Sequence, residues 1–225
     1  MRHVFVETNW VVAFAAPAHH KNPAASELFN RAANGELRLY LPVICVAEAR
    51  RPILERFQPR IEADRVRQFL LWARDAGLVN AADDEATRRV LDRMESRVKL
   101  DLERLDETFE KLKVADGIEI FDLSQEMLLL CAELSYLKLE LKPFDQAILA
   151  AILVQGKRLL AEGVEETASC ELDSDLQPWD KDSNRKERLA DLYDSAHIWV
   201  YRDFLLQAPP KPSNWFRSSD RTHQP

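Results

Sequence analysis

The opening segment constrains this chain more than any other. His3 to Val6 is a short, β-branched and largely apolar run that passes at once through Glu7, Thr8 and Asn9 into a second apolar stretch, Trp10 to Ala16. A strand with no polar alternation is buried on both faces, the pattern of a parallel sheet covered by helices. The polar triplet is where such a strand ends and a helix is capped. A chain that begins this way is expected to be α/β.

The same alternation continues downstream. A helix is expected over Pro23 to Ala33, stopped by Asn34 and Gly35, and a strand over Leu37 to Leu41. Pro42 suits the first turn of a third helix running through Glu48. Pro52, four residues later, cannot donate to the Glu48 carbonyl and should kink or restart that helix. Ile61 to Ala76 reads as an amphipathic helix with arginine at its exposed positions.

Beyond Gly117 the expected order is a strand at Ile118 to Phe121, a helix capped by Ser124 to about Leu139, and a helix from Pro143 to about Gln155. A strand at Thr167 to Leu172, a short helix near Lys186 to Tyr193 and a strand at His197 to Tyr201 follow. Together these predict one α/β domain over residues 1–205, a central mainly parallel sheet with helices on both faces. Residues 206–225, with Pro209, Pro210 and Pro212, are expected to form an extended C-terminal tail.

Between these halves lies a segment free of Gly and Pro, Asp83 to Ala115. Its apolar residues are Leu91, Met94, Val98, Leu102, Leu105, Phe109 and Leu112, spaced 3, 4, 4, 3, 4 and 3. That is a heptad-like stripe with one stutter, so a long helical insertion at about 81–115 is expected, seeking a partner helix. The partner is either the chain's own domain or a second copy in a homodimer.

Composition narrows the function classes. The 225 residues carry a net charge of 31 − 38 = −7, which disfavours nucleic-acid binding through a broad basic surface. It leaves open nucleic-acid chemistry carried by a bound cation. Cys45, Cys131 and Cys170 are far apart and lie in or beside apolar runs, as small buried side chains of a reducing compartment do. The apolar segment from Val4 is interrupted by Glu7, so no secretory leader is expected, and no run approaches the ~18 residues needed to cross a bilayer. A soluble, cytoplasmic protein without membrane partners is the expectation.

In an α/β sheet, ligands collect at the carboxyl ends of the strands. The acidic residues expected there are Glu7 after the first strand and Asp173 with Asp175 after the fourth, joined by Glu48 and Asp145 on helices. Asp145 sits among Phe144, Ala147, Ile148 and Leu149, where a lone carboxylate is costly unless paired or liganded. Oxygen-only donors suit Mg²⁺ or Mn²⁺ rather than zinc.

The order of these motifs resembles that of the PIN-domain nucleases. Val4-Phe5-Val6-Glu7-Thr8-Asn9 is similar to that family's opening strand and Asp-Thr-Asn signature, and the segment Tyr40 to Glu48 to its second motif. The segment Phe144 to Ala151 looks like the third, Cys170 to Leu176 like the fourth, and His197 to Tyr201 like the closing strand. Glu7 stands where the family usually has aspartate, and the added methylene displaces its carboxylate by ~1.3 Å where metal distances matter to a few tenths.

The resemblance implies a Mg²⁺- or Mn²⁺-dependent ribonuclease. Glu7, Glu48, Asp145 and Asp173 would be its catalytic ligands and Asp175 a further one, with Thr8 and Asn9 orienting Glu7 and substrate. It further implies an RNA substrate and a toxin of a toxin–antitoxin pair or a defence effector, with an antitoxin or other protein partner. The alternative is a catalytically inactive PIN-like module for RNA binding or assembly, which Glu7 motivates.

Two features bear on substrate. From Arg50 to Arg74 seven arginines face Glu55, Glu62 and Asp64, a local balance of 7 − 3 = +4, with Arg50 and Arg51 nearest to Glu48. His19 and His20 follow Pro17 in an expected loop from which they could reach substrate.

Overall fold

The computed structural model describes residues 1–165 and 167–207. Its elements run β1 (Arg2–Val6), α1 (Thr8–Ala15), a 3₁₀ turn (Ala18–His20), α2 (Pro23–Ala33), β2 (Leu37–Pro42), α3 (Val43–Arg56), α4 (Pro59–Asp75) and α5 (Ala81–Glu103). There follow α6 (Leu105–Val114), β3 (Ile118–Phe121), α7 (Gln125–Tyr136), α8 (Pro143–Ala161), β4 (Thr167–Cys170), α9 (Glu187–Ser195) and β5 (Ile198–Tyr201). Of the tail expected over residues 206–225, residues 208–225 lie outside the described residues.

The fold is α/β. Among the described residues five strands form one sheet in the order β3-β2-β1-β4-β5, and each pairing within it is parallel. β1 is the central strand, and Val4, Phe5 and Val6 are fully buried, so the unalternating run at the N-terminus has the two covered faces that it requires. The chain winds outward through β2 and β3, then crosses back to β4 and β5 on the other side of β1. Right-handed crossovers in opposite directions place the connecting helices on opposite faces.

α1 packs on α2, α3 and α6, while α8 packs on α7, α9 and β2. The indole N–H of buried Trp10 donates to the Ala25 carbonyl at 3.2 Å and ties α1 to α2. Gly117 marks a place where no side chain fits: a Cβ there would stand 2.0 Å from the Ala32 carbonyl oxygen at the end of α2.

Several boundaries differ from expectation for local reasons. Pro42 is the last residue of β2 and the N-cap of α3 rather than its first turn. α3 neither stops nor restarts at Pro52 but runs on to Arg56. α7 ends at Tyr136, where Lys138 and Glu140 adopt left-handed backbone (φ 51° and 57°). α8 continues to Ala161, until Gly163 turns the chain at φ 92°.

The expected long helix is two. It breaks at Arg104 (φ −91°, ψ 11°), just past the stutter in its apolar stripe, and α5 and α6 then bury that stripe in different places. Leu91 and Met94 meet Ala63 and Leu70 of α4 in a small separate cluster, whereas Leu105, Phe109 and Leu112 join the main core. Within the chain, the stripe is covered by the chain's own elements. The helical arm is therefore α4 with α5, and α6 belongs to the body that packs on β3. No helix among the described residues is long and apolar enough to cross a membrane.

Candidate metal centre

The reversal of strand order at β1 and β4 opens a crevice at the carboxyl edge of the sheet. Glu7 leaves β1 there and caps α1, its Oε2 accepting from the Asn9 backbone N–H at 2.7 Å. Val6 is in register with Cys170, so the next residue along each strand, Glu7 and Glu171, stand side by side. Both are buried, 2% and 0% exposed.

The Ser169 hydroxyl donates to Glu171 Oε1, and Tyr193, whose hydroxyl donates to the Leu176 carbonyl at 3.1 Å, also reaches the Glu171 carboxyl. The other oxygens, Glu7 Oε1 and Glu171 Oε2, are buried and have no hydrogen-bond partner.

Three further carboxylates close the crevice. Asp145 lies in the first turn of α8, where the helix N-terminus favours an anion, and its Oδ2 is likewise buried without a partner. Asp173 and Asp175 project from the loop after β4, and the Asp175 N–H holds Asp173 Oδ1 at 2.9 Å. One carboxylate oxygen from each of Asp145, Asp173 and Asp175 lies within 4.8 Å of the other two. Glu48, half-buried on α3, accepts the Thr8 hydroxyl.

The electrostatics follow from this crowding. Burial pushes Glu7 well above the usual carboxylate range, and the charge of Glu171 adds to it. Burial lifts Glu171 to about 7, with Asp173 and Asp145 reinforcing the shift and the Ser169 hydrogen bond opposing it. Asp145 is raised by burial and then by Asp173, against a weaker counter-effect from Lys142. Ionising all of them together is unfavourable unless a cation enters.

The orphaned oxygens and the purely hard-oxygen donor set fit a divalent ion of the Mg²⁺ or Mn²⁺ type. Among the described residues, Asp145, Asp173 and Asp175 are close enough to share one ion, with Glu7 and Glu171 as a deeper pair.

Of the residues singled out in the sequence, the crevice draws on Glu7, Glu48, Asp145, Asp173 and Asp175. Thr8 differs from expectation: its hydroxyl orients Glu48 rather than Glu7, because Glu7 itself caps α1 and turns Thr8 toward α3. Asn9 does hold Glu7, through its backbone and its side chain. Arg50 and Arg51 are tied to Asp106 and Glu55. Arg67 is shared among Asp64, Asp92 and Glu95, and Arg74 reaches Asp84, so those members of the arginine stretch secure the arm.

Glu171 is the site residue that sequence reasoning passed over. It lay inside an expected strand, and only the pairing of β4 with β1 shows that it matches Glu7. Comparisons of the chain with family models, with curated proteins and with solved structures find no match. The functional reading therefore rests on the fold and the site.

Proposed function

We propose that this chain is a metal-dependent phosphodiesterase of nucleic acid. Within that class we assign it to RNA, as an endoribonuclease of the PIN type whose biological setting is that of a toxin or a defence effector. One observation carries the reading: Asp145, Asp173 and Asp175 converge at the carboxyl edge of a parallel sheet, beside carboxylate oxygens left without partners.

Asp145, Asp173 and Asp175 would hold the ion, with Glu7, Glu48 and Glu171 completing the acidic lining. When bound, a divalent ion supplies an activated water and offsets charge developing on the phosphate. The chain's own residues do the positioning. Thr8 fixes the Glu48 carboxylate, Asn9 fixes Glu7, and the N-terminus of α8 favours an anionic Asp145 against the burial that raises it. Products with 5′-phosphate and 3′-hydroxyl ends are expected.

The test is cleavage of single-stranded RNA with Mg²⁺ or Mn²⁺. EDTA and Asp145→Ala should each abolish it, and cleavage that survives either change overturns the assigned site. The second reading, an inactive RNA-binding or assembly module, is favoured by Glu7, whose Oε2 is committed to capping α1. Calorimetry separates the two: RNA binding with no divalent-ion binding selects the module.

A further inference from the structure

A cavity of ~510 Å³ opens beside the acidic crevice. Its near wall holds Asn9, which secures Glu7, and Leu172, which lies between Glu171 and Asp173. It is lined further by Val12 and Ala13 of α1, by Ala16 just past the end of that helix, and by His20, Arg56 and Phe57. The His20 and Phe57 rings meet at 5.2 Å between centroids, and the Arg56 guanidinium lies over the Phe57 ring at 5.7 Å.

The volume is that of a small-molecule site. The wall chemistry is specific: an apolar surface at Val12, Ala13 and Ala16, aromatic rings at His20 and Phe57, amide side chains at Asn9 and Asn22, and the exposed Arg56 cation. Asn22 Oδ1 is spent on the Ala24 N–H at 2.9 Å, which leaves its NH₂ as the polar group for a ligand. Rings and apolar walls take a flat heterocycle, amides read its edge, and a guanidinium takes a phosphate.

We propose that this cavity seats one unstacked nucleobase of a single-stranded RNA, next to the phosphate held at the acidic crevice, with Arg56 on the neighbouring phosphate. This rests on the phosphodiesterase reading and adds its substrate form: a strand whose bases are free to splay, recognised at one position. A paired duplex cannot offer such a base without breaking a pair. His20 thus has a place in recognition, as a wall of the base seat.

The experiment uses Ala13→Phe, which fills the cavity from a half-buried helical position, and Arg56→Gln, an exposed change that spares the fold. The probes are RNA tetranucleotides varied at each position and the four nucleoside 5′-monophosphates, with binding and cleavage measured in parallel with Mn²⁺ affinity. The parent chain should prefer one base at one position and bind tetranucleotide at least tenfold more tightly than mononucleotide. Each variant should raise KM about tenfold, the loss expected for one stacking or phosphate contact, with Mn²⁺ affinity unchanged.

Unchanged KM and base preference in both variants overturns the base seat while leaving the nuclease standing. Absence of cleavage with tetranucleotide binding still sensitive to both variants sinks the nuclease and keeps the seat. Mononucleotides bound as tightly as tetranucleotides overturn the strand assignment.

Discussion

Glu7 and Glu171 are two carboxylates at the ends of adjacent strands, almost without solvent, each with one oxygen unpartnered. Such a pair either keeps a proton or takes a cation, because two buried like charges raise one another. This gives the metal-free protein a pH dependence with a definite sign. Glu171 titrates from 4.5 in the unfolded chain and about 7 in the folded one, so between those values the folded state holds the extra proton. Its contribution to stability is present below 4.5 and is lost as pH rises through about 7. The loss is on the order of 3 kcal/mol at about 1.4 kcal/mol per unit.

Urea denaturation in EDTA should therefore give a lower midpoint at pH 8 than at pH 5, with the difference reduced in Glu171→Gln. Mn²⁺ at about a hundred times its Kd should restore about 2.7 kcal/mol at the higher pH. An equal slope in the parent and in Glu171→Gln would remove Glu171 as the cause. At this scale Glu7, Asp145, Asp173 and Asp175 were legible from strand ends and apolar surroundings. Glu171 was not, because its meaning lies in the register of β4 against β1, and a parallel pairing between segments so far apart leaves no local pattern.

The elements were legible where the pattern is local and illegible where packing decides. The helix Pro23–Ala33 and the strand Ile118–Phe121 match expectation residue for residue, since Asn22, Gly35 and Gly117 punctuate them. The division of the long helix at Arg104 was not readable. Its stripe is nearly continuous in sequence, and the break serves two different neighbours, α4 and the main core.

That division predicts unequal costs. Leu112→Ala removes a fully buried side chain from the main core and should cost about 2–5 kcal/mol. Leu91→Ala, in a small cluster with Ala63, Leu70 and Met94 among the described residues, should cost less, because the arm can collapse around it. Chemical denaturation measures both, and equal costs would show that the arm is as tightly packed as the body. Gly117→Ala is harsher than its size suggests: backbone, not a flexible side chain, blocks the new Cβ, so α2 and β3 must part. A loss of about 1–3 kcal/mol is expected, and a melting temperature equal to the parent's would place slack between those elements.

At the scale of the whole molecule the question is how a chain of net charge −7 would hold the polyanion proposed as its substrate. Much of the arginine-rich stretch is engaged elsewhere, since Arg50, Arg51, Arg67 and Arg74 go to carboxylates on α3, α4, α5 and α6. The cations that border the crevice are few. Arg56 lies at the base cavity, and Lys138, Lys186 and Arg188 line a second cleft, ~430 Å³, that also contains Asp175. Among the described residues, phosphate binding would then fall to these four side chains, to Lys142 beside Asp145, and to divalent ions that the carboxylates would hold, which reverse the local field.

Two consequences are measurable by fluorescence anisotropy with a single-stranded RNA. Five contacts at about 0.7 each give a slope of log K against log salt near −3.5, shallow for a nucleic-acid protein. In EDTA, binding itself should collapse, and not cleavage alone, because the uncompensated carboxylates repel the phosphate they would otherwise receive. A slope near −6 or steeper would mean that a basic surface elsewhere on the chain does the holding. Tight binding in EDTA would mean that the acidic crevice is not where the strand lies.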